Sequence, residues 1–162
     1  MSKELIEKWR SQKGNDRLVN DLSKSLSRLK PKLHHRNAEQ IHKDVFEETD
    51  CLQCANCCKS IPPIVSSRDS KRIAKHLKMK KSDFEETYLI KDEDGDQVIN
   101  ASPCPFLKED NSCKIYSVRP SACRQYPHSG DLNFFKHLSL HKRNAKYCPA
   151  LFEIMIRLKK IK

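Results

Sequence analysis

With 162 residues, 37% hydrophobic and 33% charged side chains and a mean hydropathy of −0.76, the chain has material for one domain with a thin core. No apolar run approaches the roughly 20 residues a membrane span requires, and the charged, amphipathic start over residues 1–14 lacks the layout of a signal peptide, so a cytoplasmic protein is expected. The net charge of +11 excludes an acidic solvating chain, and it is uneven: residues 131–162 hold 8 basic against 2 acidic side chains.

The first fifty residues read as helical. Asn15 is a candidate N-cap, Leu18, Leu22, Leu26 and Leu29 line one face, and Pro31 ends the run. A further helix is expected over 37–47, with Ile41, Val45 and Phe46 as its apolar residues, leading the chain into Cys51. Ile61-Pro62-Pro63-Ile64 must be extended, because proline fixes its own φ and disfavours helix for the residue before it. Ser67 should cap a helix over 68–79 carrying Ile73, Ala74 and Leu77, and Ser82 with Glu85 forms a capping-box pattern for a short successor with Phe84 and Tyr88.

Residues 88–90 and 97–99 flank Asp92-Glu93-Asp94-Gly95-Asp96, the pattern of a small hairpin with a glycine-bearing turn. A calcium loop would need a carboxylate at its twelfth position, and counted from Asp92 that position is Pro103. From 104 to 147 periodicity is weak and Pro, Ser and Asn are frequent, as in loops held by ligands. The last helix starts at Pro149 and runs through Leu151, Ile154, Met155, Leu158 and Ile161 toward Arg157, Lys159, Lys160 and Lys162. Cys148 precedes it, at the positive end of the helix dipole, where thiolate is favoured. The expected fold is mainly α, with irregular metal-stapled loops and a small β-hairpin in one small domain. It is divided into an N-terminal helical arm (1–50), a cysteine-cluster domain (51–148) and a C-terminal helix (149–162) packing on that same domain.

Eight cysteines dominate the chemistry, a dense run Cys51, Cys54, Cys57 and Cys58 and a spread set Cys104, Cys113, Cys123 and Cys148. In a secreted chain an even count suggests disulfides, whereas reduced thiols in the cytoplasm are metal ligands. Two-residue spacing turns the first three sulfurs toward one point, and Cys58 either closes that site or points elsewhere. Bacterial ferredoxins complete such a tripod with a distant Cys-Pro, for which Cys104-Pro105 and Cys148-Pro149 are both candidates. Eight cysteines also divide into two four-thiolate zinc sites. The tripod leans toward an iron–sulfur cluster, since zinc sites favour paired C-x2-C knuckles; the bland alternative is that one or two cysteines are buried as small hydrophobes.

Arg119, Arg124 and Tyr126, set between and beside ligands, are candidates to offset thiolate charge and orient the sulfurs, against the plainer reading of surface ion pairs. His137 and His141 stand four apart and with Cys148 would offer a mixed zinc site, but their amphipathic setting over 134–143 reads as two solvent-facing histidines. His34, His35, His42 and His76 lie among charges and read as solvated. His128, just after Tyr126-Pro127, is the histidine nearest the cysteine segments in character.

Cys51-x2-Cys54-x2-Cys57-Cys58, then Cys104-Pro105-Phe106-Leu107, then Cys113-x-Ile115-Tyr116-x2-Arg119-Pro120-x2-Cys123-Arg124-x-Tyr126-Pro127 together resemble the YkgJ-like cysteine-cluster proteins over residues 51–148. The resemblance implies a domain that chelates zinc or iron. Because related cysteine segments occur in flagellin lysine methylases, it also implies a protein-modifying enzyme as an alternative. Where the family has glycine after the second cysteine this chain has Ala55, and the helical arm lies outside the resemblance. Three glycines in all leave little material for a phosphate cradle, and no Ser/His/Asp set stands out. A third reading, a nucleic-acid module, rests on Lys136, His141, Lys142, Arg143 and Lys146 interleaved with Phe134, Phe135 and Tyr147.

Overall fold

The computed structural model describes residues 3–12, 16–130 and 134–161. Among them the helices follow in chain order as α1 (Lys3–Gln12), α2 (Asp16–Ser27), α3 (Pro31–Glu47), α4 (Cys51–Cys54), α5 (Asn56–Ser60), α6 (Ser67–His76), α7 (Lys81–Tyr88), α8 (Ser121–Gln125), α9 (Leu138–Asn144) and α10 (Pro149–Lys159). A hairpin of β1 (Leu89–Lys91) and β2 (Gln97–Ile99) follows α7, and 3-10 turns occupy Tyr116–Val118 and Phe134–His137. The mainly helical fold with one small hairpin agrees with expectation. Composition places boundaries at 50 and 148, whereas the chain forms two compact units, Met1–Cys54 with Pro127–Lys162, and Ala55–Tyr126.

The first unit is a helical assembly around α10, which packs against α3, α2 and α1. Pro31 does not only end the preceding run; it occupies the first turn of α3, where its missing N–H costs nothing. Val19, Leu22 and Leu26 recur on one face of α2 and meet Leu151, Ile154, Met155 and Leu158 of α10 in one buried cluster. Trp9 joins that cluster and its Nε1–H donates to the Ala145 carbonyl at 3.1 Å. Glu153, only 8% exposed, is compensated by Arg157 at 3.0 Å and Lys8 at 3.5 Å. The expected cap Asn15 lies outside the described residues. The stretch expected to be loop-like is helical in α9 and the turn before it, because Phe134 and Phe135 are buried in this core.

The second unit has a smaller core of Val65, Ile73, Ala74, Phe84, Leu89, Ile99, Phe106 and Ile115. The hairpin pairs Leu89 with Ile99, Ile90 with Val98 and Lys91 with Gln97. Its acidic turn is self-contained: Asp92 accepts from the backbone N–H groups of Asp94 and Asp96 at 3.1 and 2.9 Å, and Gly95 takes φ +85°. The carboxylate most central to the calcium alternative is thus spent on turn geometry. Residues around Pro62 and Pro63 are extended as expected. They add an isolated antiparallel bridge, Ile64 opposite Val98, with Val65 N–H donating to Gln97 O at 2.8 Å and Ile99 N–H to Pro63 O at 3.2 Å.

Two capping expectations are corrected. Ser66, not Ser67, caps α6, in a capping box with Asp69. The helix expected to be boxed by Ser82 and Glu85 starts earlier, at Lys81, with no side-chain cap; Ser82 donates to its neighbour Asp83 instead, at 2.8 Å.

Leu26 is fully buried beneath α10. Leu26→Ala should cost about 2–5 kcal/mol, read as a lowered denaturation midpoint at unchanged slope.

Candidate metal centre

In the second unit Cys57 and Cys58 lie on α5, whose N-cap is Ala55 at φ +45°, ψ 19°. That left-handed conformation costs an alanine roughly 1–2 kcal/mol and a glycine almost nothing, which gives the Ala55 departure a physical meaning. The methyl group is buried at 5% exposure, a contact that offsets part of the strain. The two sulfurs stand 4.0 Å apart. This contact lowers the Cys58 pKa to about 7 against the effect of burial, with Lys59 assisting.

Cys104 is brought to Cys58 by the main chain, its N–H donating to the Cys58 carbonyl at 2.9 Å. A second tight lobe follows in a region expected to be irregular. Leu107 pairs with Cys113 across a β-bridge, Lys114 N–H donates to Phe106 O at 2.8 Å, and Asn111 makes the left-handed turn residue. Backbone amides of Phe106 and Leu107 interact with the Cys104 sulfur, and that of Ile115 with Cys113. Such N–H donors stabilise sulfur as thiolate. Burial nevertheless raises Cys104 and Cys113, and the charge of Cys58 adds to it at both. Cys123, on α8, is pushed to about 12 by burial and then by Cys58, Cys104 and Cys113. The four thiols therefore lie in one another's electrostatic field.

The segment leading to Cys123 is held by a group that sequence reasoning missed. Asp69 is 1% exposed. It receives Ser66 Oγ at 2.7 Å, Ser121 Oγ at 3.1 Å and the Arg72 guanidinium. Arg72 continues to the carbonyls of Arg119 at 2.9 Å and Val118 at 3.4 Å. Burial works to raise the Asp69 pKa, but the bonds from Ser66, Arg72 and Ser121 hold it at about 2. The Ser66-x2-Asp69 spacing is a capping signal that the sequence reading placed one residue late, at Ser67, and nothing local signals that the same carboxylate reaches 52 residues along the chain to Ser121.

Of the three expected supporting residues, Arg119 acts on the sulfurs. Its charge lowers both Cys113 and Cys123. Its guanidinium lies 3.9 Å from the Tyr116 ring centroid and donates to Tyr116 O at 2.8 Å. Arg124 is exposed and donates to Ser121 Oγ at 3.1 Å, next to the Asp69 group. Tyr126 is partly buried at the end of this unit.

In the first unit Cys51 and Cys54 occupy one turn of α4, and Cys148 is the N-cap of α10, packed against the hydrophobic core. The preference for thiolate expected at Cys148 from the helix dipole is opposed by its surroundings. Burial pushes it to about 12, outweighing the amides of Leu151 and Ala150, and Cys51 and Cys54 add negative field. Among the described residues no group of three or more His, Cys, Asp or Glu side chains is placed to hold a metal ion. The donor set still fits a thiophilic metal: soft sulfur ligands in groups, with amide donors at several sulfurs and Arg119 beside two of them.

The histidine expectations divide. His76 and His137 are exposed, as read. His141 is fully buried, its ring stacked on Phe134 at 4.1 Å, so the solvent-facing reading fails there. His34 is buried at 6% exposure, His35 meets Phe135 edge-on at 5.9 Å, and His42 Nδ1 shares a 2.9 Å hydrogen bond with buried Ser129. Burial, then Lys43, lowers the His42 pKa. A helix face that carries charges can still send its neighbours inward, which local composition does not report. His128 takes a left-handed φ of +67° and is partly buried in the first unit. Of the aromatic partners of the nucleic-acid reading, Phe134 and Phe135 lie in the core and offer no stacking face, whereas Tyr147 is exposed. Lys146 pairs with Asp16 at 2.7 Å.

A family described as "CxxCxxCC: Putative zinc- or iron-chelating domain" matches residues 50–149. An uncharacterized protein of Methanocaldococcus jannaschii is 34% identical over 82 residues, covering 49% of this chain and 44% of that protein. The chain thus spans under half the length of this relative. No solved structure matches it. No described helix is long and apolar enough to cross a membrane.

Because Asp69 is depressed in the folded state, its stabilisation is complete above the ordinary aspartate pKa of 3.8 and is lost as pH falls through about 2. Asp69→Asn should cost of order 1–2 kcal/mol near neutrality, after allowance for solvent at Arg72, and should flatten the acid limb of melting temperature against pH. His141→Ala should cost about 2 kcal/mol by opening a cavity beside Phe134, while His137→Ala leaves both stability and bound metal unchanged, checked by thermal melts and elemental analysis.

Proposed function

We propose, from the premise that the chain belongs to the CxxCxxCC family of zinc- or iron-chelating domains, that it is a cytoplasmic metalloprotein whose cysteines bind iron as an iron–sulfur cluster, or zinc. Its role is accessory, with the metal holding short irregular segments together. The observation that carries this reading is the gathering of Cys58, Cys104, Cys113 and Cys123 from separate segments into one electrostatic neighbourhood. Buried thiols raise each other's pKa, and a bound cation reverses that balance by stabilising the thiolates.

Cys51, Cys54, Cys57, Cys58, Cys104, Cys113, Cys123 and Cys148 are the proposed ligands, with Arg119 offsetting sulfur charge. Zinc would supply a closed structural cross-link, and an iron–sulfur cluster would add electron transfer. The Cys51-x2-Cys54-x2-Cys57 spacing with a distant Cys-Pro supports iron–sulfur, and sets of four thiols support zinc equally well. Protein modification, the alternative reading, would draw on a redox-active metal.

Anaerobic purification with elemental analysis and an absorption spectrum tests this reading. Iron with acid-labile sulfide and a broad visible band would establish the cluster, stoichiometric zinc in colourless protein the closed site, and the absence of either metal would overturn the proposal. Cys54→Ser and Cys57→Ser should each reduce bound metal and lower the melting temperature; unchanged metal in both would remove the dense run from the ligand set.

A further inference from the structure

We infer that the groove between the start of α3 and the 3-10 turn Phe134–His137 is a binding site for a small ligand that carries contiguous phosphate groups. No cysteine lines it, so this binding is additional to metal chelation and does not depend on which metal the cysteines hold.

The groove spans about 650 Å³ and is lined by Lys30, Pro31, Lys32, His35 and Lys136. That volume is in the range of small-molecule sites, roughly 300–1,000 Å³. All five residues belong to the first unit. A ring contact ties the two walls together: His35 of α3 meets Phe135 edge-on at 5.9 Å, and Phe135 is buried in the helical core. Lys136 follows Phe135 directly, so the buried ring carries it to the groove that Lys30 and Lys32 also line.

Three ammonium groups from two distant segments therefore share one concavity, where like charges repel. Elsewhere lysines are paired, Lys8 with Glu153, Lys43 with Glu39, Lys81 with Glu85 and Lys146 with Asp16. Among the described residues no carboxylate pairs with Lys30, Lys32 or Lys136. The sequence withholds acidic groups from both walls. Residues 22–38 contain Lys24, Arg28, Lys30, Lys32 and Arg36 without one Asp or Glu, and residues 132–152 contain no Asp or Glu either. The first turn of α3 has no acidic residue, and Lys30 provides no side-chain cap, so the positive end of this helix adds to the same field.

His35 is a second, independent sign of a ligand. Its Nδ1 is buried and has no hydrogen-bond partner among the described residues. An orphaned N–H is costlier than an orphaned lone pair, so the ring keeps its proton on Nε2 and brings a neutral N–H donor to the groove wall.

The lining chemistry selects the ligand class. No arginine, whose planar fork matches a carboxylate, is present; lysines bind phosphate as point charges with freely turning donors. A single phosphate carries at most about two negative charges near neutrality and leaves an ammonium group unmatched, whereas contiguous phosphates engage all three. With three glycines in the chain the charge is met by side chains rather than by a backbone cradle. No Phe, Tyr or Trp lines the groove, so it lacks the stacking face that a nucleic-acid strand uses.

Isothermal titration of the full-length, metal-loaded protein with tripolyphosphate tests the site. Saturable binding at one equivalent is expected, weakened about tenfold in each of Lys30→Gln, Lys32→Gln and Lys136→Gln and falling with ionic strength. Lys71→Gln, the same charge loss on the second unit, should bind as wild type does. The three groove lysines are exposed, so melting temperature and metal content should stay unchanged in all four variants. A nucleoside triphosphate that binds tighter than tripolyphosphate and loses affinity in the same variants would support the groove and identify the source as a nucleotide; equal binding would identify the phosphates alone. Absence of saturable binding, affinity unmoved by the groove variants, or orthophosphate binding as tightly as tripolyphosphate would overturn the proposal. So would a single-stranded oligonucleotide that binds tighter than tripolyphosphate and is weakened equally by Lys71→Gln.

Discussion

Thiols that lie partly buried near one another repel as soon as they ionise, and burial penalises each ionisation further. That constraint governs the chemistry of this chain. Cys123 and Cys148 are both pushed to about 12 by burial and by neighbouring sulfurs, while Cys58, in contact with Cys57, falls to about 7. The opposing groups supplied by the chain are amide N–H donors at Cys104, Cys113 and Cys148 and the Arg119 guanidinium. They orient and partly compensate the sulfurs. A divalent ion or a cluster supplies the positive charge that lets the group ionise together.

The two units meet the cost of ordering in different ways. In the first, a cluster from Trp9 to Leu158 is assembled by long amphipathic helices, and the chain positions Cys148 simply by starting α10 at Pro149. In the second, an eight-residue core lies under short helices and a three-residue-per-strand hairpin. There a single buried carboxylate, Asp69, connects α6 to the segment that carries Cys123. Breaking one partner of such a network leaves the others buried and unsatisfied, so its loss costs more than the bonds counted singly.

The net charge of +11 finds local outlets. Arg157 binds Glu153 and Glu48, Lys146 binds Asp16, and Arg72 is committed to Asp69. Of the three aromatics interleaved with the basic residues, Phe134 and Phe135 lie in the core and Tyr147 is exposed.

The sequence by itself determined the elements whose causes are local. Prolines at 62, 63 and 149 set an extended run and a helix start, Gly95 marked the hairpin turn, and helical spacing marked apolar faces of α2 and α10; that α3 starts at Pro31 itself, before the expected 37–47, the structure added. The cysteine spacing likewise identified the family without any coordinate. Tertiary structure decided that the Cys58 carbonyl takes the Cys104 N–H, that His141 faces the core rather than solvent, and that Asp69 serves Ser121. These depend on contacts between residues far apart in the chain. Spacing can state that sulfurs are available as ligands; where their segments are carried depends on the packing of α10 on the helices of the first unit and on the main-chain bonds of the second.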